Sequence, residues 1–424
     1  MKKSLSNLLS ILMLATSLNL FVLAADEPTA GTCGENVSWR FDPDSGKLTL
    51  SGTGAVDEFP LVEKEILNEE TGGTYIQRQP TPPWEAWRDQ IAAVEVEEGV
   101  TLLPGWCFAR LPALKTASLA NSLTDLGIGC FSDCAALEEA NLPESLTTLI
   151  HTFVGCANLR QVMTLPESLQ TTDFAFAASG VTTVVLPGNM KNLDDVCFRD
   201  AENLTTVLVG KGVERIGMMA FQRTGIKTLI VPDTVTQLGN EMCQSCKALT
   251  NVYLPDGIKE IPINAFGVCT SLELIRLPGD LETIGAYAFN NCNQMDLIRI
   301  PASVTAIGDG AFNFCESLMD VYYEGTEEQW NEIEISDAYN DPLKNATVHF
   351  NAEAAPDFYL TGDVNGNGEI SAEDARLTLR AAVGLEQYEE GGLQAICCDY
   401  NMDGYITAAD ARMTLRAAVG LAND

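Results

Sequence analysis

The chain has 424 residues, 46% of them hydrophobic, and a formal charge of −34. That apolar fraction is enough to fill a core and excludes disorder along the whole length. A surface so acidic repels phosphate, which argues against nucleic acid and anionic lipid as partners, and it attracts divalent cations.

The first residues, MKKSLSNLLSILMLATSLNLFVLAADEP, join a basic tip to an apolar run and reach small residues at Ala24 and Ala25. This is the pattern of a secretory signal peptide over residues 1–24. No Cys follows to take a lipid anchor, and every later apolar stretch is interrupted by charge or Pro. The expectation is a secreted, extracellular protein with no membrane span after signal cleavage.

From about residue 93 the chain repeats itself. Steps of the Leu-Pro kind fall at Leu142-Pro143, Leu165-Pro166, Leu186-Pro187, Val231-Pro232, Leu254-Pro255, Leu277-Pro278 and Ile300-Pro301. Together with Val96, Leu119, Val209 and Tyr323 they make about 11 rungs of 21–23 residues. A second ladder runs in step through Phe108, Phe131, Phe153, Phe176, Phe198, Phe221, Cys243, Phe266, Phe289 and Phe312. A third lies three residues on, at Cys134, Cys156, Cys246, Cys269, Cys292 and Cys315. A period of 20–29 with one short apolar strand per turn predicts a mainly β solenoid of the leucine-rich-repeat type. No turn can bury its apolar face alone, so stacking must create one continuous core.

Thirteen cysteines in an exported chain would ordinarily suggest disulfides. Here most occupy repeat slots, where Cys serves as a small buried hydrophobe. The CQSC at Cys243 to Cys246 reads as core for that reason, not as a redox or zinc pair. Cys33, Cys397 and Cys398 lie outside the repeats, and their pairing stays open.

The segments GTCGENVSWRFDPDSGKLTLSGTGAVDEF (31–59) and PPWEAWRDQIAAVEVEEGVTLL (82–103) resemble the N-terminal cap of BspA-like leucine-rich-repeat proteins. Rungs such as SLELIRLPGDLETIGAYAFNNC and the exit from YYEGTEEQWNEIEI to NATVHF are similar to that family's repeat and closing strands. The resemblance covers residues 31–350 and implies adhesion or protein binding at a cell surface, with no chemistry. It places a cap at 25–92 and a repeat domain with closing strands at 93–350, and leaves 351–361 as linker before residues 362–424.

Residues between the inward ones face away from the core. The slot before each rung holds Ser118, Asn141, Thr164, Val185, Leu208, Ile230, Tyr253, Arg276, Arg299 and Tyr322. Apolar residues ending in Arg, spaced at about 4.8 Å on an acidic molecule, make Val185, Leu208, Ile230, Tyr253, Arg276 and Arg299 a candidate partner-binding strip. Its ligand would be an unknown protein or cell-surface ligand, or polysaccharide.

Near the C-terminus two similar acidic dozens occur, DVNGNGEISAED (363–374) and DYNMDGYITAAD (399–410). Calcium takes six to eight oxygens from loop positions 1, 3, 5, 7, 9 and 12 around a Gly at position 6. The first copy offers Asp363, Asn365, Asn367, the Glu369 carbonyl, Ser371 and Asp374. The second offers Asp399, Asn401, Asp403, the Tyr405 carbonyl, Thr407 and Asp410. The glycines are Gly368 and Gly404, and near-identical helices follow, DARLTLRAAVGL and DARMTLRAAVGL. Two Ca2+ ions and a small all-α domain of two loop-helix (F-hand) motifs are expected.

Position 12 is Asp and no leading helix precedes the first loop, features in which residues 362–421 resemble a type I dockerin. The resemblance implies calcium-dependent docking onto a cohesin module of a scaffoldin in a cellulosome-type assembly. It assigns recognition to Ala372, Glu373, Leu379 and Arg380, or to the matching Ala408, Ala409, Leu415 and Arg416.

Dockerins usually carry enzymes, so the alternative is a polysaccharide-binding or carbohydrate-active, glycoside hydrolase-like subunit. Signal, cap, rungs, exit and dockerin consume the chain, however, leaving no stretch for a catalytic domain. His151 and His349 have no nucleophile partner at a motif spacing. Trp39, Trp84, Trp87 and Trp106 cluster near the cap, where packing is expected before sugar stacking. The expectation is a non-catalytic interaction protein.

Overall fold

The computed structural model describes residues 27–67, 74–352, 364, 370–388, 393–399 and 406–418. The signal-peptide segment, residues 353–361 of the linker 351–361 and most calcium-loop positions lie outside the described residues.

The solenoid begins as an antiparallel meander of Ala30–Thr32, Val37–Asp42 and Lys47–Gly52, which bury Val37, Trp39, Phe41, Leu48 and Leu50 on one face. The third strand pairs in parallel with Ala93–Val96, and that pairing starts the repeat. Parallel rungs follow at Thr116–Ser118, Glu139–Ala140, Val162–Thr164, Thr183–Val185, Thr206–Leu208, Thr228–Ile230, Asn251–Tyr253, Leu274–Arg276, Leu297–Ile300 and Asp320–Tyr323, and Thr347–His349 closes the row. At seven rungs the strand is short because the rung residue is followed by Pro, which supplies no N–H to continue the ladder. A second row of two-residue strands, including Asn192–Leu193, Arg215–Ile216, Glu260–Ile261 and Thr283–Ile284, runs along the other side.

Between the rows the Phe ladder forms a stack. Phe131, Phe153, Phe176, Phe198 and Phe221 follow one another at centroid distances of 5.5, 5.4, 5.4 and 5.9 Å, all fully buried. Trp84 extends the stack beyond Phe108 at 5.7 Å, so the cap supplies the ring that a preceding turn would otherwise provide. At the far end buried Asn340 accepts from the Phe312 N–H and donates to the Gly308 and Ser336 carbonyls, which satisfies the last turn's backbone. Helix α1, Glu327–Glu332, is set by a Thr326–Gln329 capping box and places Trp330 edge-on to Tyr323. Helix α2, Asp341–Asn345, buries Leu343 beside it.

Each ring is flanked by backbone in the left-handed region. Around Phe289, Tyr287 has φ 57° and Asn291 φ 61°; around Phe153 the equivalents are His151 at 53° and Gly155 at 71°. Non-Gly residues enter this region at a cost. The reversal turns successive N–H groups toward the next turn: Tyr287, Phe289 and Asn291 donate to the Asp309, Ala311 and Asn313 carbonyls at 2.9, 2.8 and 2.7 Å.

The cysteine ladder has a related role. The Cys134, Cys156, Cys246 and Cys315 thiols donate to the Phe108, Phe131, Phe221 and Phe289 carbonyls of the preceding turn at 3.0, 3.1, 2.9 and 3.0 Å. Ala or Val would fill the space without this bond; the Phe131, Phe221 and Phe289 carbonyls would keep the N–H of their own turn as donor. All thirteen cysteines are buried free thiols, Cys33, Cys397 and Cys398 included, so no disulfide staples the fold.

Burial pushes the Cys134 thiol up to about 12 and the Cys315 thiol up to about 11, from an ordinary 9.0. Two outcomes are expected. Iodoacetamide should leave the ladder cysteines unlabelled in the native protein and modify them after denaturation, as read by peptide mass spectrometry. Because the folded thiols hold their protons more tightly, their contribution to stability is complete below pH 9 and declines as pH rises toward 11–12. Urea midpoints that stay flat from pH 8 to 11 would contradict this.

The C-terminal residues form a separate body with its own small core. Helices α3 (Ala372–Ala382) and α5 (Ala408–Ala418) pack on each other, and α4 (Leu393–Cys398) lies beside α3. Val364, Cys397 and Cys398 are buried against Leu377, Ala381, Tyr388 and Ile406.

Candidate functional site

Two regions carry the residues singled out from the sequence. The first is the open face of the row of parallel strands, which hydrogen bonding divides into successive sheets. Strand register aligns Val185 with Leu208, Ile230 with Tyr253, and Tyr253 with Arg276. At the C-terminal end the Arg299 guanidinium lies 4.7 Å over the Tyr322 ring, and Tyr322 stacks on His349 at 4.6 Å. His349 Nε2 is 2.7 Å from Asp320, and His151 stacks on Phe174 at 4.7 Å, so both histidines are held by packing partners. Arg276 is pinned, donating to the Leu254 carbonyl and to Asp256.

The expectation that this strip is exposed throughout is corrected at two positions. Val185, Ile230, Arg276 and Arg299 are half-buried, but Leu208 is 4% exposed and Tyr253 6%. Neither side chain belongs to the solenoid core, which takes the inward Val207 and Val252 beside them. Thr228, on the same open face of the strand between them, is 0% exposed.

The second region is the start of α3 and α5. Ser371 and Asp374 form a capping box in which Asp374 Oδ2 accepts from the Ser371 N–H at 2.9 Å and its hydroxyl at 2.6 Å. Asp410 does the same for Thr407, at 2.8 and 2.9 Å. Thr378 and Thr414 each return a hydroxyl to the carbonyl four residues back, both at 2.9 Å, so the two halves match bond for bond. Asp374, Asp399 and Asp410 are all buried; burial first, and the charges of these three carboxylates after it, push the Cys398 thiol up to about 12.

Of the twelve proposed calcium ligands, Ser371, Asp374, Asp399, Thr407 and Asp410 are described, and every one presents a hard oxygen, the donor type calcium selects. Asp363, Asn365, Asn367, Glu369, Asn401, Asp403 and Tyr405 lie outside the described residues. Among the described residues no group of three or more His, Cys, Asp or Glu is placed to hold a metal ion.

Leu379 and Leu415 occupy equivalent places on α3 and α5 and are each 45% exposed. Ala372, Glu373, Ala408, Ala409 and Arg416 are exposed around them. Glu373 is paired with Arg376, and Arg380 with Glu386 at 2.8 Å.

A third feature is a cleft at the cap, where all four Trp were expected to pack. Trp39 and Trp84 are buried in the cap and Trp87 stacks on Phe41 at 4.9 Å, as packing demands. Trp106 departs from that reading: it is 36% exposed and lines a cleft of about 390 Å³ with Glu58, Leu61, Asp125 and Ile128. The antiparallel hairpin Leu61–Leu67 and Thr74–Pro80 begins at this cleft. The signal available in sequence was slight, a Trp in a slot where other turns carry Gly129 or His151.

A parallel solenoid with one short strand, one ring and one buried thiol slot per turn is a leucine-rich-repeat architecture. Six copies of the BspA type leucine rich repeat region match residues 88–171, 150–250 and 237–355, more than half of the chain, and the chain belongs to that family. No curated protein matches the chain significantly. Among solved structures it is similar to a leucine-rich repeat protein from Bacteroides ovatus, at 18% identity and a TM-score of 0.41, covering 75% of this chain and 98% of that one. It is also similar to a leucine rich cell surface protein from Faecalibacterium prausnitzii, at 22% identity and a TM-score of 0.36, covering 73% and 99%. Among the described residues no helix is long and apolar enough to cross a membrane.

Proposed function

We propose that the chain is a secreted, non-catalytic adaptor with a solenoid for protein binding at one end and a calcium-dependent, dockerin-like module at the other. The observation that carries the second half is the matched pair of capping boxes, Ser371–Asp374 and Thr407–Asp410, each opening a helix with an equally exposed Leu. Two equivalent helices present two equivalent apolar anchors, which is the form a cohesin of a scaffoldin would grip. Two bound calcium ions would supply the positive charge that the acidic loops need to close. Ser371, Asp374, Asp399, Thr407 and Asp410 are the described residues that would hold them. The solenoid's open face, from Val185 to Arg299, then displays a strip to a second protein or cell-surface ligand.

A pull-down of the full chain with cohesin modules, with calcium and with chelator, tests this. Capture should require calcium and weaken at least about tenfold, some 1.4 kcal/mol, in Leu379→Asp with Leu415→Asp. Capture that is equal with chelator or in the double variant would refute the docking role. Insoluble plant polysaccharide in the same assay tests a second reading, favoured by the Trp106 cleft, in which an exposed indole and the Glu58 and Asp125 carboxylates offer a stacking surface and hydroxyl acceptors to a sugar. That reading requires retention on polysaccharide to be lost in Trp106→Ala.

A further inference from the structure

We propose that the cleft beside Trp106 receives an arginine side chain of a protein partner, with the guanidinium stacked on the indole and paired with Glu58 and Asp125, and the aliphatic stem laid along Leu61 and Ile128. This rests on the reading of the solenoid as protein-binding and adds a second contact, at the first turn and apart from the strip of Val185 to Arg299. The indole is built as a platform. Trp106 holds φ 60° and donates its backbone N–H to the Ile128 carbonyl at 2.8 Å, which fixes the chain beneath the ring. A Cβ on Gly129 would lie 2.8, 2.8 and 3.0 Å from Cε3, Cζ3 and Cδ2, three adjacent carbons of that ring. Such near-equal distances mean that the face of the indole, not its edge, rests on Gly129, where only a residue without a side chain can stand. The opposite face is left to the cleft. Tyr287 is seated over Gly310 in the same way, with a Cβ there 2.7 and 2.9 Å from the ring, so the seat belongs to the repeat.

The lining decides what the platform holds. Among the described residues around the cleft, the side-chain acceptors are the Glu58 and Asp125 carboxylates, and the one side-chain donor is the Trp106 indole N–H. Asp125 Oδ1 accepts from the Gly127 N–H at 2.8 Å, which holds that carboxylate in place. Among the described residues no Lys, Arg or His pairs with either carboxylate. Sugar hydroxyls both donate and accept, so a sugar asks for donors that these side chains do not supply, whereas a guanidinium brings five N–H donors and no acceptor. A cation is drawn further by the chain's charge of −34 and by the face of an indole. The walls ask for an apolar stem. Leu61 is 62% and Ile128 51% exposed, and a long basic side chain covers such carbons with its methylenes while its head reaches the carboxylates. Arginine suits the site better than lysine, because a planar guanidinium can stack on the ring and pair with a carboxylate at once.

Indole NMR of the full chain, with isotope-labelled tryptophan, reads the cleft directly: five Trp give five indole signals, and Trp106→Phe identifies the one concerned. The probe is a peptide of glycines around a single arginine, and its control carries citrulline, the uncharged isostere. The arginine peptide should shift the Trp106 signal saturably, and the citrulline peptide should need at least about ten times the concentration. Glu58→Gln with Asp125→Asn removes two of 59 acidic side chains, so it leaves the overall attraction for cations in place. It should nonetheless weaken the shift at least about tenfold. The amide at position 125 can still accept from Gly127, and the other four indole signals, unmoved, verify that the variant folds. No shift with arginine, an equal shift with citrulline, or a shift unchanged in the double variant would overturn the proposal. So would a Trp106 signal that moves with cellohexaose at a lower concentration than with the arginine peptide, which would assign the cleft to sugar. The readout is one indole and the probe one side chain, so failure here is distinguishable from failure of the solenoid to bind a protein through the strip.

Discussion

Phe198→Ala is expected to lower the stability of the solenoid by about 3–5 kcal/mol, the cost of removing a fully buried aromatic side chain and leaving its cavity. Phe198 sits between Phe176 at 5.4 Å and Phe221 at 5.9 Å with no exposure. The loss is therefore felt at two turn-to-turn interfaces. In a solenoid each turn contacts only its neighbours, so coupling between the halves passes through those interfaces. Urea unfolding followed by circular dichroism should show a lower midpoint and a broadened or divided transition, with cap and exit melting apart. An unchanged midpoint would mean that the ring stack is not what couples the turns. Exposed Met319→Ala, on a turn surface, is the control and should lie within about 0.5 kcal/mol of the parent.

That the stack was legible before any coordinates follows from its period. A fixed interval of 21–23 residues constrains which side chains can meet, and Phe131, Phe153 and Phe176 have no other way to be buried together. The backbone devices between the rings were less visible. Nothing in Tyr287 or His151 as residue types announces a positive φ; the hint lay in equivalent slots of other turns, where Gly129, Asn264 and Gly310 stand. Gly and Asn tolerate that region and so betray it, while Tyr and His are carried along by the hydrogen bonds of the neighbouring turn.

The strip shows a different limit. Its register was readable because alternation decides which face each residue takes, and the pairing of Tyr253 with Arg276 follows from the period. Its burial was not readable. Leu208 and Tyr253 are almost fully covered although alternation turns them away from the core, and no local pattern encodes that. Trp106 was misjudged for the opposite reason: proximity in sequence to Trp84 and Trp87 suggested shared packing, but it sits one turn further on, beside Gly129, at the rim of a cleft.

Removal of calcium is expected to have the largest effect on the C-terminal body and almost none on the solenoid. Among the described residues the module's core holds Val364, Cys397 and Cys398, packed against Leu377, Ala381, Tyr388 and Ile406. Into it are drawn Asp374, Asp399 and Asp410, whose mutual repulsion opposes closure of the loops. A domain of some 60 residues is marginal on apolar burial alone, and here no disulfide adds to it. Ligand oxygens brought together only in the folded state make ion binding a folding energy, about 4 kcal/mol at a thousandfold excess over Kd. Chelation should therefore release amide protection in α3 and α5 while the sheet amides of residues 251–253 and 274–276 keep theirs, measured by hydrogen exchange. Asp374→Ala with Asp410→Ala removes both capping boxes as well as one ligand from each loop, and each cap alone is worth about 1 kcal/mol. The double variant should thus remain unprotected at calcium concentrations that restore the parent. If α3 and α5 retain full protection with chelator, the acidic dozens are helix caps and not calcium loops, and the matched boxes have a purely structural purpose.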